Sequence, residues 1–269
     1  LVVADGETGR DLFPPKDLGQ WGGNSVPVIG TEVVVAYIRE GTPHLFAFDV
    51  VGGRELFDVS LPDQWLQCAP LLVEDLRRVA YATTQEVAAV DLAGRKAWSR
   101  EYAVAERDVL FRMGDAIVTF RRLEADSRYE ASAFAAQDGR LLWRQNTGFY
   151  RIENTAVREG DLFLLGTRGS EIILERLDGK TGKPEAAFRV EGTGGTLPAV
   201  VFGRETATAR LYRSPSQRLR RGAFQILDLS TGKVLRGFDY EPGSPAERFC
   251  VIDGKLIYAN QYNVTAWGE

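Results

Sequence analysis

The sequence is short of the residues on which most catalytic and metal sites depend. Among 269 residues it has two cysteines, one histidine and one methionine. A structural zinc site needs about four ligands, and Cys68, Cys250 and His44 stand far apart without metal-like spacing. A Ser–His–Asp or Cys–His arrangement would have to use His44, which we expect to be solvated between two strands. We therefore expect no catalytic residues and no metal, while Cys68 and Cys250 are compatible with either a disulfide or two free thiols.

Long apolar runs and a strong charge excess are also missing. No segment approaches the roughly 18 consecutive apolar residues that suggest a transmembrane helix. The formal net charge is −4, which makes a nucleic acid an unfavoured partner. The chain begins at Leu1 without a methionine or a signal-like segment, so we interpret it as a processed protein or an excised domain. Membrane association is expected only through an anchor outside this sequence.

A phrase of an apolar strand, an aspartate, a glycine turn and an aromatic residue recurs along the whole chain. Its six copies are VVADGETGRDLF at 2–13, LFAFDVVGGRELF at 45–57, VAAVDLAGRKAW at 87–98, SAFAAQDGRLLW at 132–143, LERLDGKTGKPEAAF at 174–188 and QILDLSTGKVLRGF at 225–238. The turn glycines recur every 41 to 50 residues. A period of this length with short strands is typical of propeller blades, each a four-stranded sheet.

The chemistry of the phrase explains its turn. We expect the aspartate to accept backbone N–H groups while the glycine takes a positive φ. The turn glycines are Gly9, Gly53, Gly94, Gly139, Gly182 and Gly232. We expect the aromatic residue four positions later to pack between neighbouring blades. In the last two copies it slips to Phe188 and Phe238, which predicts a bulge in the outer strand there.

The segments between phrases supply two further strands each, as in 26–38, 156–166 and 250–260, and no long helix is predicted. The fold is therefore predicted to be all-β, a single β-propeller domain over residues 1–269 with about six four-stranded antiparallel blades, seven being the alternative. The segments 1–13 and 247–267 would complete one blade from both termini and remove an open sheet edge.

The phrase resembles the repeat of the quinoprotein-like, pyrroloquinoline-quinone-type propellers, best in AVDLAGRKAW, AFAAQDGRLLW and LDLSTGKVL. Quinoprotein alcohol dehydrogenases of this type carry eight blades, calcium, a quinone and commonly a disulfide between adjacent cysteines. This chain is shorter and has no adjacent cysteines. It is more similar to outer-membrane assembly propeller lipoproteins and to sensor domains of bacterial receptor kinases. The motifs do not distinguish between these two groups. This resemblance implies the periplasmic or extracellular side of a bacterial membrane.

A binding site is predicted where the connections between blades meet the innermost strands. An aromatic-rimmed, mixed-charge channel mouth suits a small ligand or a peptide, and its arginines suit a carboxylate. The alternative is that the aromatics cover the core and the charges pair with one another. The predicted site residues are Trp21, Asn24, Trp65, Gln67, Arg107, Asp108, Tyr150, Arg151, Glu153, Asn154 and Arg248. Asp108 and Glu153 form the only carboxylate pair that we would test for catalysis.

A second candidate surface is a basic hairpin loop predicted within 204–221. Its arginines could meet an acidic partner or a lipid surface, or could belong to a solvated loop. The residues concerned are Arg210, Arg213, Arg218, Arg220 and Arg221.

The sequence therefore favours a non-catalytic scaffold or sensor propeller that binds a protein partner or a small ligand. The alternative is an enzyme, either a quinone- or calcium-dependent dehydrogenase or a carbohydrate-active propeller. Pyrroloquinoline quinone and calcium are the cofactors that such an enzyme would need, but no motif supports either, so we expect none.

Overall fold

The structure of the protein, a computed structural model, is built from β-strands. It describes residues 8, 10, 20–21, 28–29, 32–39, 41–61, 70–102, 110–123, 125, 127–190, 199–202, 205–213, 221–240, 248–252, 255–259 and 264–267. The helical element of this part of the chain is one 3-10 turn, Glu74–Leu76. None of the described residues form a helix long and apolar enough to cross a bilayer. The expected absence of long helices is thus confirmed for these residues.

The chain divides into two compact units, Leu1–Thr147 and Gly148–Glu269. The first unit holds three antiparallel sheets, which pair in the orders β1-β3-β4-β5 with β2 beside β3, β6-β7-β8-β9 and β10-β11-β12-β13. Their strands are β1 Gln20–Trp21, β2 Val28–Ile29, β3 Glu32–Arg39, β4 Thr42–Asp49, β5 Arg54–Ser60, β6 Leu71–Val73, β7 Arg78–Ala82, β8 Glu86–Asp91, β9 Lys96–Glu101, β10 Phe111–Met113, β11 Ala116–Arg122, β12 Tyr129–Ala135 and β13 Leu141–Asn146.

The second unit holds two four-stranded sheets and one three-stranded sheet, again antiparallel and ordered along the chain. Its strands are β14 Arg151–Arg158, β15 Asp161–Arg168, β16 Glu171–Leu177, β17 Pro184–Val190, β18 Ala199–Phe202, β19 Thr206–Arg213, β20 Arg221–Asp228, β21 Val234–Tyr240, β22 Arg248–Ile252, β23 Lys255–Ala259 and β24 Val264–Trp267. The described residues thus form six sheets. The segment 1–13 that would close a blade lies outside the described residues except for Thr8 and Arg10, so blade closure and the single domain stay predictions.

The turn chemistry expected from the phrase is confirmed. The Asp228 Oδ1 atom accepts the backbone N–H groups of Ser230 and Thr231 at 2.8 and 2.9 Å. Asp49, Asp91 and Asp178 accept backbone N–H groups in the same way. The turn glycines have a positive φ of 62° to 75°, namely Gly53, Gly94, Gly139, Gly182 and Gly232, and before Gly139 the aspartate is Asp138, which accepts the Arg140 N–H. Gly9 and Asp5 lie outside the described residues. Each of these hairpins is therefore specified locally by its aspartate and its glycine.

A β-bulge in the outer strand is common to five sheets. In each ladder the residue three positions after the turn glycine has no partner in the register; these residues are Leu56, Ala97, Leu142, Glu185 and Leu235. The bulge predicted for the last two copies is present, but it also occurs in the other three. It therefore does not explain why the aromatic residue of the last two copies stands six rather than four positions after the glycine. Positions four and six after the glycine share one face of the strand, so the ring moves along that face without a change of register.

These rings join consecutive sheets. The Trp98 indole lies over Gly139 of the next sheet, where a Cβ would approach its Cε3 to 2.4 Å. Phe57 lies over Gly94, and Phe188 over Gly232, in the same way. The apolar cluster around Trp98 contains buried residues of β7 and β8 together with Ile117 and Phe134 of the next sheet. The expected packing of the repeat's aromatic residue between neighbouring sheets is confirmed for Phe57, Trp98 and Phe188.

Candidate functional site

The structure gathers part of the predicted site at the start of β14. Arg151, Glu153 and Asn154 belong to this strand, and Tyr150 immediately precedes it. Trp21 lies in β1 opposite Tyr37, and Arg248 lies in β22 opposite Ala259. Asn24, Trp65, Gln67, Arg107 and Asp108 lie outside the described residues, and with Asp108 so does the carboxylate pair Asp108–Glu153.

The short connection between β13 and β14 buries one aromatic ring and exposes the next. Gly148 has a φ of +70°, and a side chain at this position would meet Arg168. Phe149 is completely buried, whereas Tyr150 is 44% exposed. The Tyr150 backbone N–H donates to the Thr167 carbonyl at 2.9 Å, which continues the β14–β15 ladder. The Tyr150 ring is therefore presented to solvent on a fixed backbone.

A bulge in β14 positions the carboxylate of Glu153. The register steps from the Ile152–Gly166 pair to the Asn154–Leu165 pair, which leaves Glu153 without a partner in β15. Gly166 permits this arrangement, since a Cβ there would lie 2.2 Å from the Arg151 carbonyl oxygen. Bulges of this kind redirect side chains and are frequent beside binding sites.

Glu153 and Arg151 form an ion pair whose two ends differ in exposure. The Arg151 Nε lies 2.8 Å from the Glu153 Oε1, and their side chains are 58% and 8% exposed. Burial raises the pKa of Glu153, and the charge of Arg151 opposes that shift. The pair thus orients a largely exposed guanidinium at the residue that follows Tyr150 in the chain. A guanidinium held in this way suits a carboxylate on a ligand.

A second ion pair lies behind this surface and was missed by the sequence analysis. The Arg168 Nη2 donates to the Glu175 Oε1 at 2.8 Å, and the guanidinium carbon lies 4.7 Å from the centre of the Phe149 ring. The Glu175 side chain is only 4% exposed. Burial raises the pKa of Glu175, and Arg168 opposes the shift. Among the described residues, no hydrogen bond reaches the Glu175 Oε2. The feature of the sequence that could have indicated this ion pair is Glu175, a glutamate within the largely apolar strand EIILERL.

The corresponding residues of the first unit show the alternative predicted for the site, in which aromatics cover the core and charges pair. Tyr102, which follows β9, is 2% exposed, and its hydroxyl lies 3.1 Å from the Ser132 Oγ. The Arg121 guanidinium lies 5.3 Å from the Tyr102 ring centre and pairs with Glu130 at 2.7 Å. Tyr102 is therefore structural and corresponds to Phe149, which is buried under the Arg168–Glu175 pair in the same way. Tyr150, the next residue, is exposed.

The basic surface predicted as a loop is partly strand. Arg210 and Arg213 lie in β19 and Arg221 begins β20, with Arg213 and Arg221 directly opposite each other. The hairpin continues further than predicted because TATARLYR and RGAFQILD are rich in strand-forming residues that pair in register. Arg218 and Arg220 lie outside the described residues. The prediction of a loop was thus wrong for Arg210, Arg213 and Arg221.

Two cavities between neighbouring sheets are lined by residues that the structure describes. One, of about 650 Å³, is in the first unit, and its lining includes Tyr81, Val90, Gly94 and Lys96. The other, of about 310 Å³, is in the second unit and is lined by Arg158, Glu159, Asp161, Phe163, Arg176, Glu205, Asp228, Leu229 and Ser230. Both arginines of this lining are engaged, since Arg176 pairs with Asp161 and Arg158 donates to the Phe202 carbonyl. No group of three or more His, Cys, Asp or Glu suited to a metal ion occurs within the described ranges.

Comparison with protein families identifies the repeat. Residues 3–146, more than half of the chain, match the family model of the outer membrane protein assembly factor BamB. A search of proteins with curated functions finds no significant match.

Solved structures with the same architecture are numerous and distant in sequence. BamB from Moraxella catarrhalis superposes with a TM-score of 0.62 at 15% identity, over 90% of this chain and 71% of that protein. A quinohemoprotein alcohol dehydrogenase from Comamonas testosteroni gives 0.56 at 13% identity, over 83% of this chain and 43% of that enzyme. The WD40 β-propeller domain of Doa1 gives 0.54 at 13% identity, over 89% of this chain and 76% of the domain. At these identities the similarity establishes the fold, a β-propeller, and not the activity.

Proposed function

The chain belongs to the family of the outer membrane protein assembly factor BamB, and on this premise we propose that it is a non-catalytic scaffold that binds a protein partner in the bacterial cell envelope. The binding surface is the exposed start of β14, formed by Tyr150, Arg151, Glu153 and Asn154. The family match supports the class of function, and the geometry of β14 supports the location.

The observation that carries this location is an exposed tyrosine followed in the chain by an arginine whose guanidinium is held by a buried carboxylate. Tyr150 is 44% exposed, whereas the preceding residue Phe149 and its counterpart Tyr102 in the first unit are buried. Tyrosine and arginine dominate the energetically important positions of protein interfaces. Because Glu153 holds the Arg151 Nε, less side-chain entropy is lost when a partner binds Arg151.

The charge of the surface defines the partner. A free carboxylate on the partner, from an Asp or Glu side chain or a chain terminus, would receive two parallel N–H donors from the end of the Arg151 guanidinium. The ring of Tyr150 would cover the apolar part of the same segment. The partner chemistry is therefore an acidic residue next to an apolar one.

Site-specific photo-crosslinking in intact cell envelopes tests this proposal. A photoreactive phenylalanine analogue at position 150 should crosslink a discrete envelope protein, and Arg151→Ala should reduce the yield by roughly tenfold, the equivalent of one charge-assisted hydrogen bond. The same analogue at Val51, which is 79% exposed, is the control. Equal crosslinking from both positions would show that position 150 is merely accessible and would reject the site.

A separate measurement addresses catalysis. Titration of the purified protein with pyrroloquinoline quinone, with and without calcium, should leave the quinone absorbance unchanged. Quinone-dependent oxidation of an alcohol would reject the scaffold proposal in favour of an enzyme.

A further inference from the structure

Exposed apolar side chains are concentrated at two adjacent positions of the repeat. Six large apolar or aromatic residues are exposed among the described residues, and four of them are Leu141, Leu142, Val234 and Leu235, at 39% to 58%. These four occupy the second and third positions after the turn glycines Gly139 and Gly232. The same feature therefore occurs once in each compact unit, on the outer strands β13 and β21.

The equivalent positions of the other outer strands are protected. β9 carries Lys96 at the second position, and β17 carries Pro184 followed by Glu185. β5 carries Glu55 followed by the half-buried Leu56. Charged residues and proline on an edge strand prevent it from pairing with another chain. β13 and β21 carry neither a charge nor a proline at the same two positions, and the bulge at Leu142 and Leu235 is the protection that remains there.

Both strands lie at the edge of their sheets, and they continue beyond the bulge to Asn146 and Tyr240. β13 pairs only with β12, and β21 only with β20, within the part of the chain that the structure describes. The outward backbone groups of an edge strand can pair with a further strand. Lipid could cover the leucines but could not pair with these backbone groups. An extended polypeptide can satisfy both requirements.

Basic residues flank each apolar pair. Leu141 and Leu142 lie between Arg140 and Arg144, and Val234 and Leu235 lie between Lys233 and Arg236. All four flanking residues are exposed.

The positive charge around β13 is only partly neutralised. Arg144 shares the single carboxylate of Glu130 with Arg121, at 3.1 and 2.7 Å. The edge therefore attracts a segment that carries acidic residues on either side of apolar ones.

The charges of β13 also decide against its pairing with β13 of a second copy of the chain. Antiparallel pairing of β13 with itself around Leu142 would bring Arg140 of one copy beside Arg144 of the other. Like charges directly opposite each other destabilise a strand pair.

We propose that β13 and β21 are two equivalent docking edges, each of which adds an extended partner segment with an apolar centre and acidic ends as a further strand. The partner backbone pairs with the outward side of the edge strand, and its apolar side chains cover Leu141 and Leu142 or Val234 and Leu235. Its acidic ends meet the flanking basic residues. This inference is independent of the surface at Tyr150 and Arg151.

The test uses the whole chain and a synthetic peptide of alternating valine and threonine with a glutamate at each end. Fluorescence anisotropy measures binding, and backbone hydrogen exchange locates it. The wild-type protein should bind the peptide, and amides of 141–146 and 234–240 should exchange more slowly. The double variant Leu142→Glu with Leu235→Glu should weaken binding by at least roughly tenfold, because each leucine contributes apolar burial. Ala97→Glu, at the same repeat position of β9, is the matched control and should leave binding unchanged.

Two modified peptides separate strand pairing from simple charge attraction. A peptide methylated at alternate backbone nitrogens cannot pair and should not bind, and a peptide with lysine ends should bind much more weakly. Equal binding of the methylated peptide would reject strand addition. Absence of binding up to about 1 mM peptide, the weak end of specific association, would reject the docking edges altogether.

The other occupants give distinct results. Anionic phospholipid vesicles that bind the wild type but not the double variant, with no peptide binding, would replace the proposal by a membrane surface. Concentration-dependent dimerisation that the double variant abolishes would replace it by a contact between copies. Slower amide exchange in β13 and β21 when the peptide is added would exclude both the membrane surface and the contact between copies. This result does not depend on whether the variant folds well.

Discussion

The indole of Trp98 covers Gly139, and its Nε1 donates to the Ala136 carbonyl at 2.9 Å. The ring belongs to the outer strand of one sheet and the glycine to the turn of the next. Gly139 thus combines two requirements, a φ of +69° and the absence of a side chain. A local turn and a contact between sheets therefore depend on the same residue.

Gly139→Ala should destabilise the protein by about 3 kcal/mol, because the new methyl group overlaps Trp98 and the backbone is strained. Gly114→Ala is the matched control, since Gly114 has a φ of +56° and a methyl group there would meet no atom within 4 Å. It should cost only about 1 kcal/mol. Urea unfolding of both variants measures the difference, and equal losses would show that Trp98 contributes nothing at Gly139.

Gly166→Ala should disrupt the candidate site at a cost of about 3 kcal/mol, because its methyl group would meet the Arg151 carbonyl and the Phe149 ring. Gly237→Ala, also on a strand of the second unit, is the control, since its nearest contact would be 3.8 Å. The photo-crosslink from position 150 should be lost in Gly166→Ala and kept in Gly237→Ala. Retention in both would show that the β14 bulge does not position the site.

Glu175→Gln should raise the free energy of unfolding at neutral pH. Burial raises the pKa of Glu175 above its ordinary value of 4.5, so the folded state favours the neutral carboxyl. The stabilisation from the neutral Glu175 carboxyl is complete when the pH is below the ordinary pKa of a glutamate, and it is lost as the pH rises through the folded-state pKa. Urea unfolding measured from mildly acidic to neutral pH should show the variant's advantage growing as the pH rises.

The matched control for this measurement is Glu171→Gln, an exposed glutamate on the same strand. Its pH profile is subtracted from that of Glu175→Gln. A variant at position 175 that is less stable than the wild type at neutral pH would show that the Arg168 pair outweighs the cost of burying the charge.

Asp228 should stabilise its turn through charge-assisted hydrogen bonds. The Ser230 hydroxyl and then the backbone N–H groups of Thr231 and Ser230 lower its pKa. Stability should therefore fall from wild type to Asp228→Asn to Asp228→Ala at neutral pH. The advantage of the wild type over Asp228→Asn exists above the ordinary value of 3.8 and disappears as the pH falls through the folded-state pKa. Urea unfolding of the three proteins measures the order, and an Asp228→Ala variant as stable as wild type would show that Gly232 alone specifies the turn.

The sequence predicts the hairpins well because their causes are local. Asp178 and Gly182, for example, lie in one turn, and the hydrogen bond and the positive φ that define it need no information from distant residues. The strand pattern and the aromatic slot follow from the same short phrase. The wrong prediction for Arg213 and Arg221 has a local cause too, because arginine indicates exposure but does not end a strand.

The site was less predictable because its causes are not local. Whether an aromatic residue after an outer strand is buried, like Tyr102, or exposed, like Tyr150, depends on packing against other strands. The Glu153 bulge depends on space left by Gly166 across the ladder. Neither relation has a spacing in the sequence that would identify it.

The rings that cover the turn glycines also constrain how such a chain can change. A larger residue at a turn glycine is compatible with the fold only if the ring of the preceding repeat becomes smaller, so the two positions must vary together although they belong to different repeats. Recombination that exchanges whole repeats would have to match each ring to the glycine that follows it. Compatibility between neighbours, rather than the sequence of any single repeat, therefore limits which repeats can succeed one another.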